Sequence, residues 1–189
     1  MRIAIVDMGT NTFKLLIADV DHDDLHLVHQ QKSGVQLGKG SYSSGYLSEA
    51  AMQRAAQCLL DFQQVARHHK ADVMYAFATA AVRDAANGQA FVEQMRLQTA
   101  VDVSIISGEQ EAKLITRGVM SALSQPPGHF VIMDIGGGST EFIQVQQQKV
   151  QKSYSYPLGA TRLMQTHSTA SSFSSSTFSV LFCSSVFIS

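Results

Sequence analysis

The strongest constraint on what this chain can fold into is a pattern used twice: a short apolar run, then Asp-x-Gly, then small hydroxylated residues. The first copy is Ile3-Ala4-Ile5-Val6 running into Asp7-Met8-Gly9-Thr10-Asn11-Thr12-Phe13. The second is Val131-Ile132-Met133 running into Asp134-Ile135-Gly136-Gly137-Gly138-Ser139-Thr140-Glu141-Phe142. Short runs of branched aliphatics predict buried strands. The Asp closes each run, and the glycines allow turns and close approaches that a Cβ forbids. Backbone N–H groups in such a loop form a nest for phosphate oxygens. A carboxylate beside it holds a hard cation such as Mg²⁺, directly or through water. A single loop of this kind is as often a plain tight turn. Two with one grammar predict a domain plan used twice, with two phosphate loops facing each other across a cleft.

Around the first copy the pattern predicts a meander. Ile3–Val6 and Phe13–Val20 are strands, Asp21-His22-Asp23-Asp24 is a solvated hairpin tip, and Leu25–His29 is a third strand. The Asp cluster lacks the glycine and distal Glu of a calcium loop. Lys32–Tyr46, rich in Gly and Ser, reads as a loop. Ser48 then caps a helix with Glu49 in its first turn and an apolar stripe through Met52, Ala55, Ala56, Cys58, Leu59, Phe62, Val65 and Ala66. His68-His69 at its end suits the negative pole of the helix dipole better than a metal, because adjacent helical residues face different ways.

Val73–Ala78 is the next strand, and it runs into Thr79-Ala80-Ala81-Val82-Arg83-Asp84. Arg83 stands where a cleft would lie, and a guanidinium matches phosphate oxygens in bidentate fashion. Its alternative is a pair with Asp84 or another surface acid. A helix starts at Asn87-Gly88, with Phe91, Val92 and Met95 inward, and a strand spans Val101–Ile106. Ser107-Gly108 turns the chain into a helix opening on Glu109-Gln110-Glu111 and running through Ala122, with Leu114, Ile115, Val119 and Leu123 apolar. Two acids in a first turn commonly just complement the dipole, yet here they stand at the carboxyl end of a strand, where open α/β sheets bind ligands. Gln125-Pro126-Pro127-Gly128 is a linker. Past the second glycine loop, Phe142–Gln146 and Val150–Tyr156 form a hairpin about a Gln-rich turn, and Pro157–Leu163 turns into a helix.

Composition narrows the rest. A net charge of −1 over 189 residues offers no polybasic surface for DNA, RNA or an anionic membrane. Two cysteines, Cys58 and Cys183, make no disulfide framework and fit a cytoplasmic protein with free thiols. The opening M-R-I-A-I-V-D is a strand, not a signal peptide, and no run reaches the length of a membrane span. From about Thr166 the character changes: Ser168–Ser189 has no Asp, Glu, Lys or Arg and no helical period. Phe178–Val186 is sticky rather than solvated. This tail is expected to be non-native or disordered, as a frameshift would leave it.

Five segments in order carry a resemblance: D-M-G-T-N-T, A-T-A-A-V-R-D-A, I-S-G-E-Q-E-A, D-I-G-G-G-S-T-E and P-L-G-A-T-R-L. Together they resemble the exopolyphosphatase / guanosine pentaphosphate phosphohydrolase (Ppx/GppA) family. The resemblance implies an α/β fold, the actin-like ATPase (ribonuclease H-like) mixed sheet with helices. It implies one complete domain, 1–124, and the start of a second, 129–165, cut short where the Ser-rich tail, 166–189, begins. The implied activity is Mg²⁺-assisted hydrolysis of the terminal phosphoanhydride of inorganic polyphosphate or guanosine pentaphosphate. By resemblance Glu111 is the base that activates water, Asp134 the metal-linked acid, and Glu141 completes the acidic set. Asp7 joins the metal side, and Arg83 contacts phosphate. Gly9, Thr10 and Asn11, with Gly136, Gly137, Gly138 and Ser139, form the phosphate loops. Gln110 departs from the second Glu that many members carry. Two other readings stand beside this one: an inactive phosphate-binding regulatory fragment, and an ATP-dependent kinase or ATPase of the same superfamily. A shortened sheet also leaves an open edge that invites a homodimer.

Overall fold

The computed structural model describes residues 1–21 and 24–167. The tip at His22-Asp23 and the tail from Ser168 onward lie outside the described residues. The contacts divide the chain into two compact units, Met1–Ser107 and Gly108–Ser189.

The first unit is built on β1 (Arg2–Met8), β2 (Phe13–Asp21) and β3 (Asp24–Ser33), followed by one helical turn, α1 (Ser41–Ser44), and the long helix α2 (Glu49–His68). Then come β4 (Val73–Ala78), the turn α3 (Ala80–Arg83), α4 (Gly88–Thr99) and β5 (Val103–Ile105). The strands form one five-stranded sheet in the order β3-β2-β1-β4-β5. β2 runs antiparallel to both β1 and β3, while β4 lies parallel to β1 and β5 parallel to β4. This is the mixed sheet expected of the actin-like plan.

Alternation decides which face is covered. Ala4, Val6 and Met8 of β1, with Phe13, Leu15 and Ile17 of β2, are buried in one cluster with Ala51, Ala55, Leu59 and Phe62 of α2. The helix starts as its sequence predicts, the Ser48 side chain accepting from the Ala51 N–H. It ends in a Schellman-type cap: Lys70 takes a left-handed φ of 57°, its N–H donates to Arg67, and the Ala71 N–H reaches back to Ala66. His69 follows the last turn, and its ring stacks on His29 of β3 at 4.6 Å.

Three local expectations change. β3 continues four residues past His29, because Gln30 to Ser33 find partners along Leu16 to Phe13. The Gly/Ser-rich loop is not all loop, since Ser41–Ser44 closes a helical turn between two glycines at positive φ. Asn87 does start α4, but its side chain caps nothing there. Instead its amide donates to the Leu47 carbonyl and its oxygen accepts from the Leu47 N–H, stapling the loop before α2.

The second unit opens with α5 (Gly108–Ala122), then β6 (His129–Ile135), β7 (Thr140–Gln146), β8 (Lys149–Tyr156) and α6 (Ala160–His167). Its three strands form an antiparallel sheet, β6-β7-β8. Gln147 and Gln148 make the two-residue turn with φ of 46° and 62°, the backbone of a tight hairpin. α5 lies on β7 and β8, so the contacts separate it from the first sheet before the Pro-Pro linker is reached. Ala112, Phe130, Ile132, Ile143 and Val145 make the small core, with Ile115, Val119 and Met120 against it. Leu114, apolar like its helical neighbours, is 49% exposed. The buried stripe runs through Ala112, Ile115, Thr116 and Val119, one step out of phase with Leu114. On the other face of this sheet Val131, Met133, Ile135, Phe142, Tyr154 and Tyr156 are exposed. Among the described residues no helix is long and apolar enough to cross a membrane.

Leu59, fully buried against the first sheet, tests this core. Leu59→Ala is expected to cost about 2–5 kcal/mol in urea unfolding, the range for a leucine cavity; a loss under half the lower figure would place α2 elsewhere.

Candidate active site

Each Asp-x-Gly pattern ends a hairpin, but its acid is not at the strand tip. β1 runs on through Asp7 to Met8, and β6 through Asp134 to Ile135. Asp7 therefore stands opposite Lys14 on β2, and Asp134 opposite Glu141 on β7. Directly opposed residues of an antiparallel pair share one face of the sheet. The two patterns are thus alike in backbone and unlike in charge: Asp7 meets a lysine, 3.6 Å from carboxylate to ammonium, and Asp134 meets a second acid.

In the first unit, Gly9 is a glycine because a Cβ there would come within 2.9 Å of the Thr12 carbonyl oxygen. Thr10 is 4% exposed, and its hydroxyl lies 3.2 Å from the Tyr42 hydroxyl. The segment around Gly38 runs alongside: the Gly38 N–H donates to the Thr10 carbonyl and the Gln36 N–H to that of Asn11. Asn11 itself is exposed. Arg83 ends α3 and donates to the Ile106 carbonyl at 3.0 Å, with Asp84 at 3.7 Å. The ion pair weighed as its alternative is therefore present, and a guanidinium with five donors keeps that pair alongside further contacts.

In the second unit a chain of contacts links the start of α5 to Glu141 and Asp134. Gly108, at the start of α5, sits against Ser155 of β8; a Cβ on it would come within 2.9 Å of the Ser155 Cβ. The Ser155 hydroxyl donates to Glu141 at 2.8 Å. Glu141 is 1% exposed and opposes Asp134, which is exposed and stands two residues before Gly136. Glu111 is partly buried in the first turn of α5, beyond Gly108. Glu109, its neighbour acid, is tied to Lys113 by a 2.7 Å ion pair one turn on, which holds its carboxyl below the usual range. Glu109 is thus committed to a surface pair, a role the family pattern does not assign to Glu111.

The glycine loop is shaped from outside. The Gly136 N–H donates to the Ser139 carbonyl, closing the turn. The carbonyls of Gly136 and Gly137 accept from the N–H groups of Ala160 and Arg162, and that of Gly138 from Arg162 Nε at 2.8 Å. Gly159 is buried against the same loop, where a Cβ would fall 2.3 Å from backbone atoms of Gly137 and Gly138. The Thr140 hydroxyl donates to the Leu158 carbonyl. Residue types alone assigned no role to Ser155, Gly159, Arg162 or Tyr42. The P-L-G-A-T-R-L segment was visible as a motif, but nothing in its spacing names its contact.

A cavity of about 420 Å³ opens beside this end, between α5 and β8, lined by Gly108, Glu109, Lys113, Lys152 and Ser155 among others. Glu111 and Asp134 are not among its walls. Among the described residues no three His, Cys, Asp or Glu side chains converge on a preformed metal cage. Asp134, one exposed carboxylate beside an open glycine turn, would suit a hard cation that keeps most of its waters, as Mg²⁺ does.

The fold defines a mixed α/β protein, and comparison gives its family. The sequence matches the Ppx/GppA phosphatase family over residues 16–184, and the chain belongs to that family. Exopolyphosphatase 2 of Mycobacterium tuberculosis is 35% identical over 173 residues, which are 87% of this chain and 54% of that protein. The crystal structure of an exopolyphosphatase from Cytophaga hutchinsonii is similar with a TM-score of 0.83 at 38% identity, covering 88% of this chain and 53% of the other. The PPX-GPPA enzyme of Aquifex aeolicus is similar with a TM-score of 0.75 at 30% identity, covering 88% and 55%. The chain therefore spans about half the length of the relatives it matches.

Glu141 depends on its one named donor. Ser155→Ala should cost about 1–3 kcal/mol, the penalty for stranding a buried acceptor. The exposed Ser121→Ala should stay within about 0.5 kcal/mol. Equal unfolding midpoints for the two in urea would show that Glu141 is satisfied without Ser155.

Proposed function

We propose that this chain carries the phosphate-binding and water-activating residues of a phosphoanhydride hydrolase, one that removes the terminal phosphate of inorganic polyphosphate or guanosine pentaphosphate. The observation that carries the reading is the glycine loop beside Asp134, its carbonyls engaged on one side. In a trans peptide the C=O of one residue and the N–H of the next point in opposite directions. The N–H groups of Gly137, Gly138 and Ser139 are therefore turned away from α6, in the arrangement that receives phosphate oxygens. The hydroxyl of Ser139 adds a donor. In the first unit Gly9, Thr10 and Asn11 are assigned the same task, and Arg83 a phosphate contact.

Hydrolysis then needs water placed in line with the bond that breaks. Glu111 accepts a proton from that water as its oxygen bonds to the terminal phosphorus, while the bridging oxygen leaves with the shortened chain. The loop N–H groups hold the charge that accumulates on the phosphoryl oxygens, which is where fixed donors accelerate phosphoryl transfer. Asp134, and Asp7 in the first unit, are the residues that would hold Mg²⁺, which would supply further charge neutralisation. Glu141, buried beside Asp134 and held by Ser155, keeps the acidic pair in place.

The near-neutral net charge favours a small polyanion over nucleic acid, and the buried free thiol of Cys58 fits a cytoplasmic setting. A homodimer remains part of the reading through the exposed apolar face of the second sheet.

Glu111→Gln tests the mechanism. With Mg²⁺ and polyphosphate or guanosine pentaphosphate, phosphate release should fall by about 10²–10⁴, the usual worth of a general base, while binding of tripolyphosphate persists. Undiminished release would remove Glu111 from the chemistry. Binding by the wild-type chain with no release of phosphate from any substrate would assign it instead as the binding module weighed above.

A further inference from the structure

P-L-G-A-T-R-L is the one motif of the sequence that the reaction leaves without a task. In the structure its task is mechanical. Three successive carbonyls, those of Gly136, Gly137 and Gly138, all accept from within one turn of α6: from the Ala160 N–H at 3.0 Å, the Arg162 N–H at 3.1 Å and Arg162 Nε at 2.8 Å. Glycine peptides have no side chain to fix them, so each is otherwise free to rotate its plane. Gly159 makes the approach feasible, because the space a Cβ needs is filled by the Gly137–Gly138 peptide.

We propose that Arg162, seated by Gly159, is a positioning residue for the anion-binding loop. Its two donors hold the Gly137 and Gly138 carbonyls and so aim the N–H groups of Gly138 and Ser139 at a phosphate oxygen. Arg162 acts through the loop's backbone, not by lending its charge to the ligand. The ligand class is a terminal phosphoryl group, and this role rests on the phosphate-loop reading given above. The geometry explains why arginine is used. Its Nε lies partway along the side chain in a planar fork, so it donates sideways while the residue's own N–H holds the neighbouring carbonyl. Lysine has the charge but only a terminal, freely rotating ammonium.

The test compares Arg162→Lys, Arg162→Ala and Gly159→Ala with the wild-type chain. One readout is the dissociation constant for tripolyphosphate with Mg²⁺ by calorimetry. The other is the amide resonances of Gly137, Gly138 and Ser139 in the anion-free protein. The expected result is that Arg162→Lys moves those resonances and weakens tripolyphosphate binding by about tenfold or more, the equivalent of one charge-assisted hydrogen bond. Gly159→Ala should do the same without touching any charge. Arg162→Ala should be no worse than Arg162→Lys. If Arg162→Lys restores the affinity that Arg162→Ala loses, with unmoved amides, the guanidinium acts as a charge on the ligand and the positioning role is wrong. If all variants bind as wild type does, the role is likewise overturned while the phosphate loop stands. A wild-type chain that does not bind tripolyphosphate overturns the phosphate-loop reading itself, and the positioning role with it.

Discussion

The second unit depends on an antiparallel pairing that brings two carboxylates onto the same rung. Asp134 opposes Glu141, and like charges directly across a sheet repel. The fold separates them by environment. Glu141 is turned into the protein, 1% exposed, onto the Ser155 hydroxyl, while Asp134 stays in solvent. A buried carboxyl oxygen needs a hydrogen-bond partner, and Glu141 accepts one from Ser155 on the edge strand β8. The position of Ser155 is in turn shared with Gly108, where α5 begins. One serine thus links the acidic pair to the helix that carries Glu111.

The first unit solves the same backbone problem differently. Asp7 faces Lys14, so its rung is an ion pair with both side chains about half exposed, and such a pair contributes little to stability. What holds that loop is the Gln36–Tyr42 segment, which meets Thr10 and Asn11 by backbone donors and a tyrosine hydroxyl. Loops with one sequence grammar are therefore braced by unrelated parts of the chain, a 36–42 excursion in one unit and the start of α6 in the other. Each brace fixes the carbonyls it engages, and with them the planes of those peptides.

That division explains what the sequence made legible. The strands and α2 with its Ser48 cap follow from alternation and capping, which are local, while the mixed sheet was implied by the family resemblance. The twin Asp-x-Gly pattern also marked two turns that join paired strands, β1 to β2 and β6 to β7, because glycine and hydroxyl residues between strand and strand are themselves the signal. Local pattern could not say that α5 belongs with β7 and β8, since the Pro-Pro linker that follows it looks like a stronger break than Ser107-Gly108. Ser155, Gly159 and Arg162 were out of reach for the same reason: each acts on a residue some 14 to 24 positions away, and only the fold supplies that neighbour.

The contrast between the two sheets carries one further consequence. In the first, Val6 and Leu15 pair across β1 and β2 and are covered by α2. The matching pair in the second, one residue before Asp134 and one after Glu141, is Met133 and Phe142, and both are exposed. Apolar side chains on an uncovered face contribute no burial, so the stability of the second unit must come from the other side: a small cluster centred on Ile132, Ile143 and Ala112 and the backbone brace from α6. A unit with a core that small has less burial to draw on than one built around Phe13, Phe62 and Phe91. The glycine loop's hydrogen bonds to Ala160 and Arg162 then also tie this end of the sheet to α6.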